Sequence, residues 1–421
     1  GSTNTYSEAV RAFRLSHTNH DKLTYTYDVE ATEHMQSALQ NALGQTGITM
    51  SDLDGLIAVP SLSHPHFMEA HYLATKIGLL PQYDVVVRTV DTGGASPITA
   101  LLEARRMIMN EDCKAVAIAA GDSVGSMDSE LFLERADAGC RPSHVQSGPQ
   151  HLPSPVIPHG YSRVTEYHME KYGTTREQLA MCSVLMSRQA SRHPDAMNRT
   201  PYTLEDVLNP KHQVAPSVNL LECARRADGG AAIVVCSSRF LESRKLARKG
   251  NGGNCDIVIL GGGEASGPLY PGPVIDETMF SCEQAAWNAF TKCQLEPEDI
   301  DWWGLYDCFP ICLIRALEAV GLAEKGKGGE FVERIYVETT KDPDYDPSLF
   351  PINTHGGLLS FGAPWEVPAT YNIIEAVRQL CGLAGSERQV ANARRALCYG
   401  NGGIFSASAV AILGRAVDER A

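Results

Sequence analysis

Two glycine-rich stretches restrict the fold of this chain more than any other feature. They are Val90-Asp-Thr-Gly-Gly-Ala-Ser-Pro97 and Asn353-Thr-His-Gly-Gly-Leu-Leu-Ser-Phe-Gly-Ala-Pro-Trp365. Glycine adopts positive φ and lets backbone pass close to a ligand. Each stretch runs into an amphipathic helical pattern, at 98–109 in the first case and 371–380 in the second. A helix beginning at such a turn aims its free N–H groups at whatever the turn holds. Two turns of this kind imply two facing halves with one site between them.

The order of elements says the same. In the first half the periodicity predicts a strand near the start, a helix at 31–44, a polar turn into a strand at 51–59, a helix at 71–77, a strand at 85–90, the Asp91 turn, and strands at 115–120 and 227–236. In the second half it predicts a strand at 256–260, helices at 282–294 and 311–320 flanking a turn and strand at 297–306, the Asn353 turn, and strands at 396–403 and 407–413. Matching order argues for an α/β fold built from a duplicated βαβ-type unit. The halves are read as 1–245 and 246–421. Between 125 and 214 prolines, histidines and methionines rise and strand-like runs vanish, which predicts an inserted, partly helical segment folded over the site. Residues 239–254 read as a helix plus linker. Gly261-Gly-Gly-Glu-Ala-Ser266, after a strand, lacks the full spacing and the following helix of a dinucleotide loop.

Composition excludes some functions. With 421 residues the chain is too long for one ordinary domain, and a formal net charge of -14 argues against a nucleic-acid groove or an anionic membrane surface. No apolar run approaches the ~18 residues of a membrane span. Gly1-Ser2-Thr3-Asn4 shows no signal-peptide pattern and Asp418-Glu-Arg-Ala421 is no peroxisomal tripeptide, so an intracellular, soluble, by default cytoplasmic protein is expected. The 12 cysteines form no Cys-x-x-Cys pair and read as reduced, buried thiols without a disulfide framework or zinc site. His64, His66, His71 and Glu69 match no metal-ligand spacing and read as surface or lid residues.

The candidate chemistry sits at strand ends. Tyr306-Asp307-Cys308-Phe309 closes an apolar strand, where open α/β sheets hold ligands. Tyr306 can give a proton to a developing enolate and Asp307 can orient a partner; the other reading is a packed Tyr and a helix-capping Asp. His355, between Asn353 and the Gly356-Gly357 pair, reads equally as a base and as a structural hydrogen-bonder. Cys398, followed by Gly400, Gly402 and Gly403, reads either as a thiol of lowered pKa or as a buried bystander.

Taken together, Asp-Thr-Gly-Gly-Ala-Ser at 91–96, Asp-Gly-Gly-Ala-Ala at 228–232, Tyr-Asp-Cys-Phe at 306–309, Gly-Gly-Leu-Leu-Ser-Phe-Gly at 356–362 and Cys-Tyr-Gly-Asn-Gly-Gly at 398–403 resemble the thiolase superfamily over nearly the whole chain. The third block is similar to the His-Asp-Cys-Phe block of sterol-carrier-protein thiolases. The resemblance implies a five-layer αβαβα core of two similar halves, with 125–214 as the inserted loop domain. It also implies acyl-CoA thioester substrates, coenzyme A as a substrate moiety with no covalently bound cofactor, and a homodimer. Gly94 stands where thiolases carry the nucleophilic Cys, Gly362-Ala363-Pro364 where they carry Gly-His-Pro, and Tyr306 where they carry Asn or His. Glycine cannot form an acyl-enzyme. The chain most resembles the branch that lacks this Cys, the lipid-transfer-like proteins and steroid side-chain aldolases. That branch implies retro-aldol carbon–carbon cleavage with a small OB-fold, zinc-ribbon partner. On this reading Tyr306 carries a proton, Asp307 orients it, and His355 is a second base or donor. Gly94, Ser96, Gly357 and Gly403 line the ligand, with backbone N–H groups near Gly94 and Gly403 facing the oxyanion. Two alternatives stand beside it: an acyltransferase using Cys398, and a non-catalytic acyl-CoA or lipid binder or scaffold.

Overall fold

A computed structural model describes residues 10–13, 29–141, 148, 151–244, 249–250, 253–269, 274–416 and 418. In chain order the first half gives β1 (Val10–Phe13), α1 (Ala31–Thr46), β2 (Gly55–Ala58), α2 (Glu69–Lys76), β3 (Val86–Thr89), α3 (Ser96–Met109) and β4 (Ala115–Ser123). Then come α4 (Ser129–Cys140), α5 (Val156–Tyr172), α6 (Arg176–Ser191), α7 (Leu204–Leu208), a small hairpin of β5 (Gln213–Ala215) and β6 (Val218–Asn219), β7 (Asp228–Ser237) and α8 (Ser238–Ser243). A second small hairpin, β8 (Lys249–Gly250) with β9 (Gly253–Asn254), leads to β10 (Ile257–Ser266), α9 (Cys282–Cys293), β11 (Trp302–Gly304), α10 (Pro310–Ala319), α11 (Gly328–Lys341), α12 (Pro368–Leu380), β12 (Arg395–Gly402) and β13 (Ala407–Arg415).

The sheet order is β11-β12-β13-β10-β1-β7-β4-β2-β3. Its two arms repeat one another: β3-β2-β4-β7-β1 on one side, and β11-β12-β13-β10 on the other, with an isolated parallel bridge from Trp303 to Ile352 where the partner of β3 would lie. The arms meet where β1 pairs antiparallel with β10. Helix α3 touches strands of both arms and packs on α12, which makes these two the middle layer. Helix α1 covers β4 and β7 from outside, and α9 covers β10 and β13. The result is the expected α/β, thiolase-like, five-layer αβαβα arrangement. The strands of the middle, Ala115–Ser123 and Ala407–Arg415, are runs of small and β-branched residues buried on both faces, as strands sandwiched between helices must be.

Three readings are corrected. The strand expected at 256–260 does not end there: β10 runs on through Gly261–Ser266, and Gly263 makes room for α9, since a methyl on it would overlap Ala285 and Ala289 backbone. The helix α11 was not anticipated. It opens on two glycines, which have low helix propensity, and buries Val332, Ile335 and Thr339 at helical spacing against α6 and α10. The cysteines are not all reduced. Cys255, before β10, is bonded to Cys381, which caps α12. The two are 126 residues apart, and only the strand order that carries the end of α12 over the start of β10 makes them neighbours. The other ten cysteines are in no disulfide. Among the described residues, no helix is long and apolar enough to cross a membrane.

Candidate functional site

Tyr306 and Asp307 follow β11 at its carboxyl end and stand between the two glycine turns. Their side chains reach opposite ways. A methyl group on Gly94 would overlap the Tyr306 hydroxyl and ring and the Asn401 carbonyl oxygen, so the phenol fills the space that any side chain at 94 would need. A methyl on Gly357, which also has φ 59, would overlap the Asp307 carboxylate. The carboxylate accepts the N–H groups of Leu358 at 2.8 Å and Leu359 at 3.4 Å. Asp307 therefore braces the second turn and does not cap α10, the helix that follows it, whose N-cap is Phe309; among the described residues it makes no bond to Tyr306. Burial raises its carboxyl to about 7, against those two N–H bonds. Asn353 stitches the same turn to the strand: its amide donates to Leu305 O at 2.7 Å and accepts from Leu305 N at 2.8 Å.

Opposite Tyr306, the first turn approaches the end of β12, where a methyl on Gly93 would lie 2.9 Å from Gly402 Cα and 3.2 Å from Gly403 N. Gly403 O accepts the Tyr161 hydroxyl, which in turn accepts from Asn401 Nδ2 at 2.9 Å. Burial pushes the Tyr306 phenol well above its ordinary pKa, with the nearby Cys308 and Glu366 adding to the rise. No protein hydrogen bond holds the Tyr306 hydroxyl among the described residues, so at neutral pH it is a free proton donor.

Glu366 is the residue sequence reasoning missed. It follows Gly362-Ala363-Pro364-Trp365 just before α12 and accepts the Ser96 hydroxyl at 2.8 Å. Burial, then the charge of Asp91, raises its carboxyl to about 8. The available signal was an acid set among apolar residues two places before the Pro368 that opens α12, where a helix N-terminus favours the carboxylate that burial opposes. Ser96, expected to line a ligand, is fully buried and already occupied: it also accepts Thr92 N–H at 2.8 Å.

The structure does not bring His355 and Cys398 to this point. His355 is buried behind the second turn, edge-on to Phe361 at 5.2 Å, a ring that also meets His193 and Tyr371. Burial lowers its imidazole to about 4, with Glu375 opposing, so it is neutral at pH 7. Burial alone would raise Glu375, but Arg388, with His355 and His193, holds it at about 2. Cys398 lies within β12, paired with Gly304 on one side and Ala411 on the other, with no exposed surface. The lowered thiol pKa is corrected: burial pushes it up. The inserted segment does reach the site. Met197 N donates to Phe361 O at 3.0 Å, and Phe132 of α4 meets Trp365 edge-on at 5.9 Å.

A family model described as thiolase C-terminal domain-like matches residues 274–415. The acetyl-CoA acetyltransferase of Methanothermobacter thermautotrophicus is 29% identical over 92% of this chain and 96% of its own length. The sterol carrier protein 2 of Bos taurus is 31% identical over 59% of this chain but only 44% of its own length, so the chain spans less than half of that relative. The chain is similar to thiolase-superfamily proteins over nearly its whole length. Solved thiolase-like structures agree in fold: an Ltp2-ChsH2(DUF35) aldolase has a TM-score of 0.73 at 22% identity, covering 97% of this chain and 98% of that one. The human mitochondrial 3-ketoacyl-CoA thiolase has a TM-score of 0.68 at 15% identity, covering 97% and 99%. Where the resemblance puts the nucleophilic Cys, the Tyr306 hydroxyl occupies the space a side chain at 94 would need.

Proposed function

We propose that the chain cleaves, or in reverse forms, a carbon–carbon bond in a β-hydroxyacyl-CoA thioester by retro-aldol chemistry without an acyl-enzyme. The observation that carries this reading is the Tyr306 hydroxyl lying over Gly94. Thiolysis needs a nucleophile there; a retro-aldol needs a proton donor at the thioester oxygen or carbon and a base at the β-hydroxyl. In the step, the β-hydroxyl loses its proton, the Cα–Cβ bond breaks, and its electron pair enters the thioester enolate. An aldehyde or ketone departs and Cα takes a proton, so protons balance and no oxidant is needed. Tyr306 is the donor to the enolate. Glu366 is the base, and backbone N–H groups near Gly94 and Gly403 face the oxyanion. Asp307 keeps the second turn in place. The aldolase of similar fold carries a DUF35 partner in its name, and a small partner protein and a homodimer are part of the proposal.

The direct test is to incubate the chain with β-hydroxyacyl-CoA esters, with and without a candidate partner, and follow release of the carbonyl product. Binding without release under every condition would favour the scaffold reading. The acyltransferase reading finds no support in the burial of Cys398. Cys398→Ala is expected to leave turnover unchanged, with no acyl adduct on the wild-type thiol by mass spectrometry; loss of turnover with an adduct at Cys398 would reverse the assignment.

Glu366 makes the reaction pH-dependent with a definite sign. Its carboxyl, raised to about 8, must be ionised to act as a base. The rate is therefore expected to rise with pH and level off above about 8. Glu366→Gln removes that limb and lowers the rate on the order of 10²-fold. A rate that falls through the same pH would make Glu366 the acid instead, and an unaltered profile in the variant would remove it from the chemistry.

A further inference from the structure

A second site lies away from Tyr306, in a surface groove of about 660 Å3 between α6 and the segment that follows α11. Its floor holds two basic side chains from successive turns of one helix end. Arg188 gives Nη1 to the Thr339 hydroxyl at 2.9 Å and Nη2 to the Thr340 hydroxyl at 3.0 Å. Arg192 gives Nη2 to Pro343 O at 2.9 Å and stacks over the Tyr345 ring at 3.9 Å. That leaves two donors unanswered. Arg192 Nη1 and the Tyr345 hydroxyl are both buried, both belong to residues lining the groove, and neither meets an acceptor. Tyr345 itself is only 3% exposed.

Buried donors without an acceptor cost about 1–3 kcal/mol each. A guanidinium fork with a phenol beside it is matched by an oxygen-rich anion, to which Arg binds in the plane of its fork. The rest of the lining sets a limit on that anion. Asp344, Asp346 and Glu387 stand in the same groove, so a dense polyanion is repelled while a single oxyanionic group at the arginine end is not. We propose that this groove is a binding site for a small molecule presenting one carboxylate or phosphate group to Arg192 and Tyr345. The site joins the inserted segment to the second half. From the same helix α6, Gln189 holds the carbonyls of Phe350 and Ile352 at 2.9 and 3.2 Å, just before the Asn353 turn.

The test is calorimetric titration of the whole chain with inorganic phosphate, acetate and tripolyphosphate, at ionic strength held constant with chloride. Saturable binding of phosphate or acetate at one site is expected, and whichever binds more tightly identifies the group. Tripolyphosphate is expected to bind no more tightly than phosphate. Arg192→Gln weakens binding at least about tenfold and Tyr345→Phe severalfold, the loss of a charged and a neutral hydrogen bond respectively. Absence of saturable binding by the wild-type chain would overturn the proposal, because water then satisfies both donors. Equal binding by wild type and both variants would overturn it too. If Arg192→Gln does not fold, Arg192→Lys takes its place: the charge remains, the fork is lost, and weakened binding is still required.

Discussion

Tyr306→Phe is expected to lower kcat for cleavage of a β-hydroxyacyl-CoA ester by ~10²–10⁴-fold, the range of a lost proton donor, while KM and the melting temperature stay close to wild type. The asymmetry follows from where the hydroxyl sits. The ring packs in the core and is retained by Phe, so the fold keeps its contact with the first turn. The hydroxyl bonds no protein group among the described residues, so its removal orphans no buried partner. What it does have is position, over Gly94 at the meeting of the two halves. It also has a proton that burial keeps in place far above neutral pH. Interactions made only as charge develops on the thioester oxygen appear in kcat and not in KM. Stopped assays across substrate concentration separate the two. Unchanged turnover would strip Tyr306 of its role; a rise in KM alone would make it a binding group.

Much of this architecture could be read in the chain. Glycines at 93, 94, 356 and 357, the Tyr306-Asp307 pair and the order of strands all declare themselves locally, because backbone conformation and close approach restrict residue type directly. The duplication was legible for the same reason: each arm needs its own turn into its own middle helix. What escaped was decided by tertiary contact. Glu366 looks like an ordinary helix-leading acid until burial and Asp91 raise its carboxyl and Ser96 is seen to occupy it. Asp307 and His355 carry chemistry-bearing side chains, yet one spends its oxygens on the backbone of Leu358 and Leu359 and the other faces Phe361. Cys398 reads as the end of a strand, but β12 runs on to Gly402, and within the strand the thiol is paired on both sides and sealed. The Cys255–Cys381 link spans 126 residues and no spacing rule reaches that far.

Gly94 and Tyr306 form a matched pair, and Gly94→Ala should reveal the match. The new methyl overlaps three atoms: the Tyr306 hydroxyl, its ring carbon Cζ, and the Asn401 carbonyl oxygen. A phenol can swing aside, but a carbonyl held in β12 moves only with its strand. Overpacking of this kind costs about 1–3 kcal/mol, so a clear fall in melting temperature is expected together with loss of turnover, since any relief displaces the proton donor. Tyr306→Ala in the same chain removes the ring contacts and leaves only the carbonyl. The double variant is therefore expected to be less destabilised than the two single changes predict together, a coupling of about 1 kcal/mol or more between touching residues. Additive effects would mean that 94 and 306 do not share space. Gly94→Cys is expected to fail as a thiolysis nucleophile while Tyr306 is present, because the sulfur would need the room the hydroxyl takes. Measured acyl transfer by Gly94→Cys alone, with an acyl adduct on the new thiol, would show that the ring yields, and the non-covalent mechanism would lose its steric basis.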